Sequence, residues 1–256
     1  MKKGEVMKKS KILASIAIAV FGTTAMSFAA DTDKSSSTDK LSPEGYWVQF
    51  DEDNDAGRGK IQGIIHSYFA KNDEYAKKGT LQMKIVVPIM KVDNNKMVPA
   101  PIHCDVCGKG EINGFKYNYT DPNTNFMQGL VFTGNLQPQA GTEEKGSKSV
   151  VYDKGGVLNP NGGETYNSKV QVQNGGDTMF ARAYKGSGWF AVGKNAHWKR
   201  ITKNQYLVYR QKCGFDSSKK DSPKHAPYLN DNGELINEKL FKECYNYDFG
   251  IQNPVK

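Results

Sequence analysis

From residue 43 onward, apolar and polar positions alternate in short runs cut by glycine-, asparagine- and proline-rich turns, the period-two signature of antiparallel strands. The pattern is clearest over residues 155–200, GGVLNPNGGETYNSKVQVQNGGDTMFARAYKGSGWFAVGKNAHWKR. Here NPNGGETY and Asn174-Gly175-Gly176-Asp177 are turns, residues 169–173 alternate, and TMFARAY resumes a strand. Upstream, Tyr46, Val48 and Phe50 oppose Trp47 and Gln49, and the turn DEDNDAGRG feeds a return strand over residues 60–68. Leu81, Met83, Ile85 and Val87 share one face of the next run, and further strands are predicted over 115–119, 127–136 and 150–152. Residues 70–79 and 137–147 read as polar connections. The segment VPAPIHCDVCGKGEINGF, with its prolines, paired cysteines and repeated glycines, reads as an ordered loop or irregular edge. The fold class that follows is mainly β, an antiparallel sheet that turns back on itself.

Beyond residue 201 the pattern changes. Residues 205–212 fit a strand or a short helix, FDSSKKDSPKHAP is a polar loop, and Leu235, Leu240, Phe241 and Cys244 fall at spacings that share a helical face. This stretch is too small for a core of its own and reads as an extension of the preceding domain. The four cysteines allow three complete pairings. Cys104 with Cys107 and Cys213 with Cys244 is favoured because each pair lies in its own segment, and the second would tether the extension.

The amino terminus adds a compartment. A basic start, an apolar run and Ser27-Phe28-Ala29 have the order of a secretory signal cleaved after Ala29, and the apolar run is short for a membrane anchor. The expected organisation is a signal peptide at 1–29, a flexible linker at 30–42, a β-domain at 43–201 and an extension at 202–256, with the mature chain in the periplasm or secreted. Removing the signal takes away five lysines and one glutamate, so the formal charge falls from +8 to +4. The remaining charges are interspersed, and no nucleic-acid partner is implied.

Little of the sequence carries reaction chemistry. Asp51, Asp53 and Asp55 alternate in the first turn, but Ala56 and Gln62 stand where a calcium loop needs glycine and glutamate. Cys104-Asp105-Val106-Cys107 has redox spacing, yet the glycines after it favour a loop over the helix that would lower a thiol's pKa. His66, His103, His197 and His225 form no metal-ligand cluster in sequence, and no nucleophile elbow or phosphate loop is present. No catalytic residue, cofactor or metal is therefore assigned. For ligand contact the candidate is Arg182, flanked by Phe180 and Tyr184 at strand spacing, with Trp189 nearby; inward, this face would hold a polar head between two rings. The opposite reading has Arg182 pair on the outer face or close a barrel end.

Gly45-Tyr46-Trp47, Lys60-Ile61-Gln62-Gly63-Ile64-Ile65, the Cys104–Cys107 pair, Gln128-Gly129-Leu130, NPNGGETY, Phe180-Ala181-Arg182-Ala183-Tyr184 and Trp198-Lys199-Arg200 follow one another in a familiar order. Over residues 43–201 the chain resembles the bacterial exported proteins grouped as domain of unknown function 2147. The resemblance implies a small lipocalin-like, or calycin-like, β-barrel. Asn159 and Glu164 depart from the family's late turn, and the extension after Arg200 is additional. Gly45-x-Trp47 is also similar to the opening strand of lipocalins. That likeness implies a structural trio in which Arg200 covers Trp47 and Gly45 allows the close approach. Two functional classes follow: a non-enzymatic binding module for a small apolar or amphipathic molecule, and a structural or protein-interaction factor of the bacterial envelope, with an envelope protein as partner.

Overall fold

The computed structural model describes residues 41–51, 59–71, 75–140, 149–187, 191–215 and 224–251. The expected signal segment, and the linker up to residue 40, lie outside them. The alternating runs form twelve strands: β1 (Gly45–Phe50), β2 (Ile61–Phe69), β3 (Leu81–Pro88), β4 (Met90–Asp93), β5 (Lys96–Pro99), β6 (Lys109–Ile112), β7 (Phe115–Asn118), β8 (Val131–Gln139), β9 (Val151–Leu158), β10 (Thr165–Gln173), β11 (Thr178–Lys185) and β12 (Val192–Ile201). Eight of them close an antiparallel barrel in the order β1-β12-β11-β10-β9-β8-β3-β2. Every barrel neighbour is also a sequence neighbour except across the closure and across β3 to β8, where two hairpins, β4–β5 and β6–β7, are inserted. Closure pairs Tyr46 with Ile201 and Trp47 with Arg200, so no barrel edge is left for further pairing.

The stretch read as an irregular loop contains the β6–β7 hairpin. Its turn is Asn113-Gly114, both in the left-handed region at φ 51° and 78°, which is the geometry that asparagine-glycine pairs supply in two-residue hairpins. The cysteines and glycines of that stretch masked this signal. Strand β9 runs through Gly155 and Gly156, and these are not turn residues. Gly156 pairs with Gly134 of β8, and together they form a bare patch on which the hairpin sits. A Cβ on Gly134 would lie 2.5 Å from Phe115 Cδ2, and one on Gly156 would lie 2.3 Å from Ile112 Cγ2.

Two apolar cores share the barrel wall. One joins Trp47, Ile65, Met83, Phe132, Leu136, Val170, Met179 and Trp198 with the residues under the β6–β7 hairpin. The other lies on the opposite face of β1 and β2, where Val48, Ile61, Ile64 and Ile201 pack under the carboxy-terminal extension. That extension comprises α1 (Lys203–Cys213) and α2 (Glu238–Tyr245). Thr202 and Gln205 form a reciprocal capping box that starts α1 one residue after the barrel ends, which settles the strand-or-helix ambiguity of residues 205–212. Helix α2 begins only after Asn237, whose side chain accepts from Leu240 N, so Leu235 precedes the helix and pairs with Leu229 instead of sharing its apolar face. The Cys213–Cys244 disulfide ties the two helices together, and Cys104–Cys107 closes a tight loop in the insertion.

Candidate functional site

A half-open cavity of about 960 Å³ runs from the barrel interior out to a rim that includes Met90 and Val92 of β4 and Pro160 of the β9–β10 turn. Register decides which side chains reach it. On β11 and β12, Met179 faces Trp198, Ala181 faces Ala196, Ala183 faces Lys194 and Lys185 faces Val192. All of these except Met179 line the cavity, and Met179 is fully buried in the core beside Trp47 and Trp198. Strand alternation therefore turns Phe180 and Tyr184 away from the cavity, with Arg182 between them at its border. Phe180 tilts against His197 at 5.4 Å between ring centroids. The Tyr184 hydroxyl donates to Asp153 Oδ1 at 2.9 Å. Arg182 borders the cavity along its strand, but its guanidinium donates to Asn195 Oδ1 at 3.3 Å and to the Ala191 carbonyl at 3.2 Å. Of the three residues expected to contact a ligand, Arg182 borders the cavity, whereas Phe180 and Tyr184 alternate with the lining residues Ala181 and Ala183. Trp189 lies outside the described residues.

The residues that do form the cavity are less conspicuous in sequence. Its walls are Ile65, Met83, Ile85, Phe132, Val170 and Trp198, together with the alanines 181 and 183 of β11 and 196 of β12. Small side chains on the inward face of β11 and β12 leave the volume that larger ones would fill. The signal was the alanine at every second position in FARAY, which becomes readable only once the strand's phase against Trp198 is known. Trp198 Nε1 is buried and has no acceptor among the described residues. Toward the open end the lining turns polar, with Gln49, Gln62, Asn159, Asn161, Tyr166, Lys185 and Lys194, and the Gln49 amide donates to Gln62 Oε1 at 2.8 Å.

The closed end is built by Trp47 and Arg200. Trp47 is fully buried, and the Arg200 guanidinium carbon lies 4.1 Å from its ring centroid. The guanidinium donates to the carbonyls of Gly176, Glu44 and Ser42 at 2.6, 2.9 and 2.6 Å. Gly45, at φ 130°, sits against Arg200 Nη1, 3.1 Å from where a Cβ would stand. Burial pushes the guanidinium down to about 10, a shift opposed by Asp177, so it is still a cation at neutral pH. These contacts join the start of β1 to the β10–β11 turn across the closure of the barrel.

Few ionisable side chains converge among the described lining residues. Asp51 is the one carboxylate among its described lining residues, its Oδ1 accepts from Lys60 N at 2.6 Å, and no histidine or cysteine joins it there. A general acid–base pair needs two such groups converging on one point. Among the described residues no group of three His, Cys, Asp or Glu side chains is placed to hold a metal. Cys104 and Cys107 are buried as a disulfide away from any helix start, and His103 Nδ1 lies 2.8 Å from Asn125 Oδ1 with its ring against Phe126.

A closed, eight-stranded up-and-down barrel around a ligand-sized interior is the lipocalin-like architecture. Residues 37–200 match the model of the family described as "Uncharacterized protein conserved in bacteria (DUF2147)". The chain belongs to that family. The match stops one residue before β12 ends, so the helical extension lies beyond the family region. Among solved structures, the chain is similar to protein HP1028 from the human pathogen Helicobacter pylori, described as belonging to the lipocalin family, at 16% identity and a TM-score of 0.39. The similarity covers 66% of this chain and 88% of that one. No curated protein matches the sequence. No helix among the described residues is long and apolar enough to cross a membrane.

Proposed function

We propose that this chain is a non-enzymatic binding module of the bacterial envelope that takes a small apolar or amphipathic molecule into its barrel. The observation that carries the reading is the cavity: about 960 Å³, apolar along its walls and polar toward one end. Ligand pockets typically measure roughly 300–1,000 Å³ and combine mostly apolar walls with a few polar groups that fix orientation. The export-type amino terminus and two disulfides support a periplasmic or secreted location. A barrel interior filled by its own side chains would have favoured the structural or protein-interaction reading.

The test is whether the interior binds and whether filling it stops binding. Protein purified natively without refolding is measured by native mass spectrometry for retained small molecules, and by uptake of a solvatochromic apolar dye such as 1-anilinonaphthalene-8-sulfonate. Ala181→Trp should project a ring into the cavity, leave a cooperative melt and reduce dye uptake by roughly 10-fold or more. Dye uptake unchanged by that substitution, with no retained molecule, sinks the proposal.

A further inference from the structure

The cavity is electrostatically lopsided. Lys185 and Lys194 stand on adjacent strands at the cavity-facing parity, one step apart in register, since Ala183 pairs with Lys194 and Lys185 with Val192. Both line the open end and both are exposed. The Lys185 ammonium is held 4.7 Å from the ring centroid of Tyr166, itself a lining residue, so the charge sits at the mouth and does not extend away from it. Among the described residues no carboxylate forms an ion pair with either lysine. The lone described lining carboxylate, Asp51, accepts a backbone N–H, and the third lining cation, Arg182, is turned to Asn195 and Ala191. Below this level the lining is Ala181, Ala196, Val170, Phe132 and Trp198. An ordinary solvated lysine gains nothing from cavity-side parity. Two lysines with no ion-pair partner among the described residues, set above an apolar shaft, make an anion-selecting collar, because one bound negative charge offsets both.

We propose that the occupant is a single-chain amphiphile with an anionic head, which rests between Lys185 and Lys194 while its apolar chain descends toward Phe132 and Trp198. This rests on the binding-module reading above and adds the head-group class. Carboxylate and phosphate monoester heads share the required chemistry, and the test separates them. Binding of dodecanoate, dodecyl phosphate and 1-dodecanol to the full mature chain is measured by displacement of a fluorescent apolar probe at low and at high salt, below each amphiphile's micellar range. At least one anionic probe should bind roughly 10-fold more tightly than the alcohol at low salt, and the margin should shrink as salt screens the collar. The carboxylate-to-phosphate ratio then identifies the preferred head. Lys185→Gln with Lys194→Gln should remove the anion preference and leave dodecanol affinity unchanged, which a general loss of folding would not do. Equal binding of acid and alcohol, or an anion preference that survives the double substitution, overturns the head-group assignment while leaving a binding barrel. Failure of all three probes to bind overturns it together with the reading on which it rests.

Discussion

His66 stands in a stack of rings on the outside of the barrel. Tyr206 lies 4.0 Å from Tyr46, Tyr46 lies 4.7 Å from His66, and His66 lies 5.3 Å from Tyr68, all between ring centroids. Burial in this stack pushes the imidazole down to about 4, and the nearby Lys84 charge acts in the same direction. The unfolded chain takes up that proton near 6.5, so between about 4 and 6.5 the unfolded state holds more protons than the folded one. Stability is therefore fully present above pH 6.5 and is lost as pH falls through that window. Discounted for the ring's partial exposure, the loss should be about 1–2 kcal/mol. Urea unfolding at pH 7.5 and 4.5 should show it, and His66→Gln should flatten this part of the difference. An undiminished difference in the variant would place the effect on other groups. Nothing in the spacing of the four histidines marks His66 as special; its ring partners come from three elements, and only closure of the barrel against α1 sets them in line.

At the scale of elements, the β6–β7 hairpin shows what alternation can and cannot reveal. Most barrel strands were legible because they keep one apolar face over several residues, as in Leu81, Met83 and Ile85, whereas β9, Val151–Leu158, was read only at its start because Gly155 and Gly156 interrupt it. The hairpin strands are four residues each, too short for a period to emerge, and their packing depends on side chains missing from other strands. Gly134 and Gly156 look like strand breakers in sequence. In the fold they are register partners whose absent Cβ atoms make room for Phe115 and Ile112. Gly156→Ala puts a methyl 2.3 Å from Ile112 Cγ2 and 2.6 Å from the Ile112 carbonyl oxygen, so the hairpin must lift. Overpacking of this kind costs about 1–3 kcal/mol. The variant should lower the melting temperature by several degrees and raise amide exchange over Lys109–Ile112 and Phe115–Asn118 more than in β1 or β12. Uniform exchange across the chain would show that the hairpin is not the element displaced. The same dependence on phase limited the reading of the site: the aromatic-arginine-aromatic pattern of β11 was visible, but which of its side chains border the cavity is fixed by pairing with β12.

For the whole molecule, the consequence of interest is that one barrel wall serves two cores. Val48, Ile64 and Val87 have no exposure, and Ile201 has 4%, yet they belong to the cluster covered by the extension and not to the one around the cavity. The family region ends at residue 200, before the elements that cover them. A barrel cut from this chain at that boundary would therefore present an apolar outer face that its own strands cannot hide. Burying four such side chains stabilises by roughly 6–12 kcal/mol, which is comparable with the entire net stability of a typical domain. A chain ending at Ile201 should consequently lose its cooperative melt, bind apolar dye at its surface and sediment as aggregates at neutral pH. Co-expressing residues 202–256 as a separate chain should restore part of the soluble barrel, because α1, α2 and their disulfide supply the missing cover and, among the described residues, lie outside the cavity lining. A truncated barrel that stays monodisperse, melts cooperatively and still takes up apolar probe would show that the outer face tolerates water, and that the extension belongs to some other task.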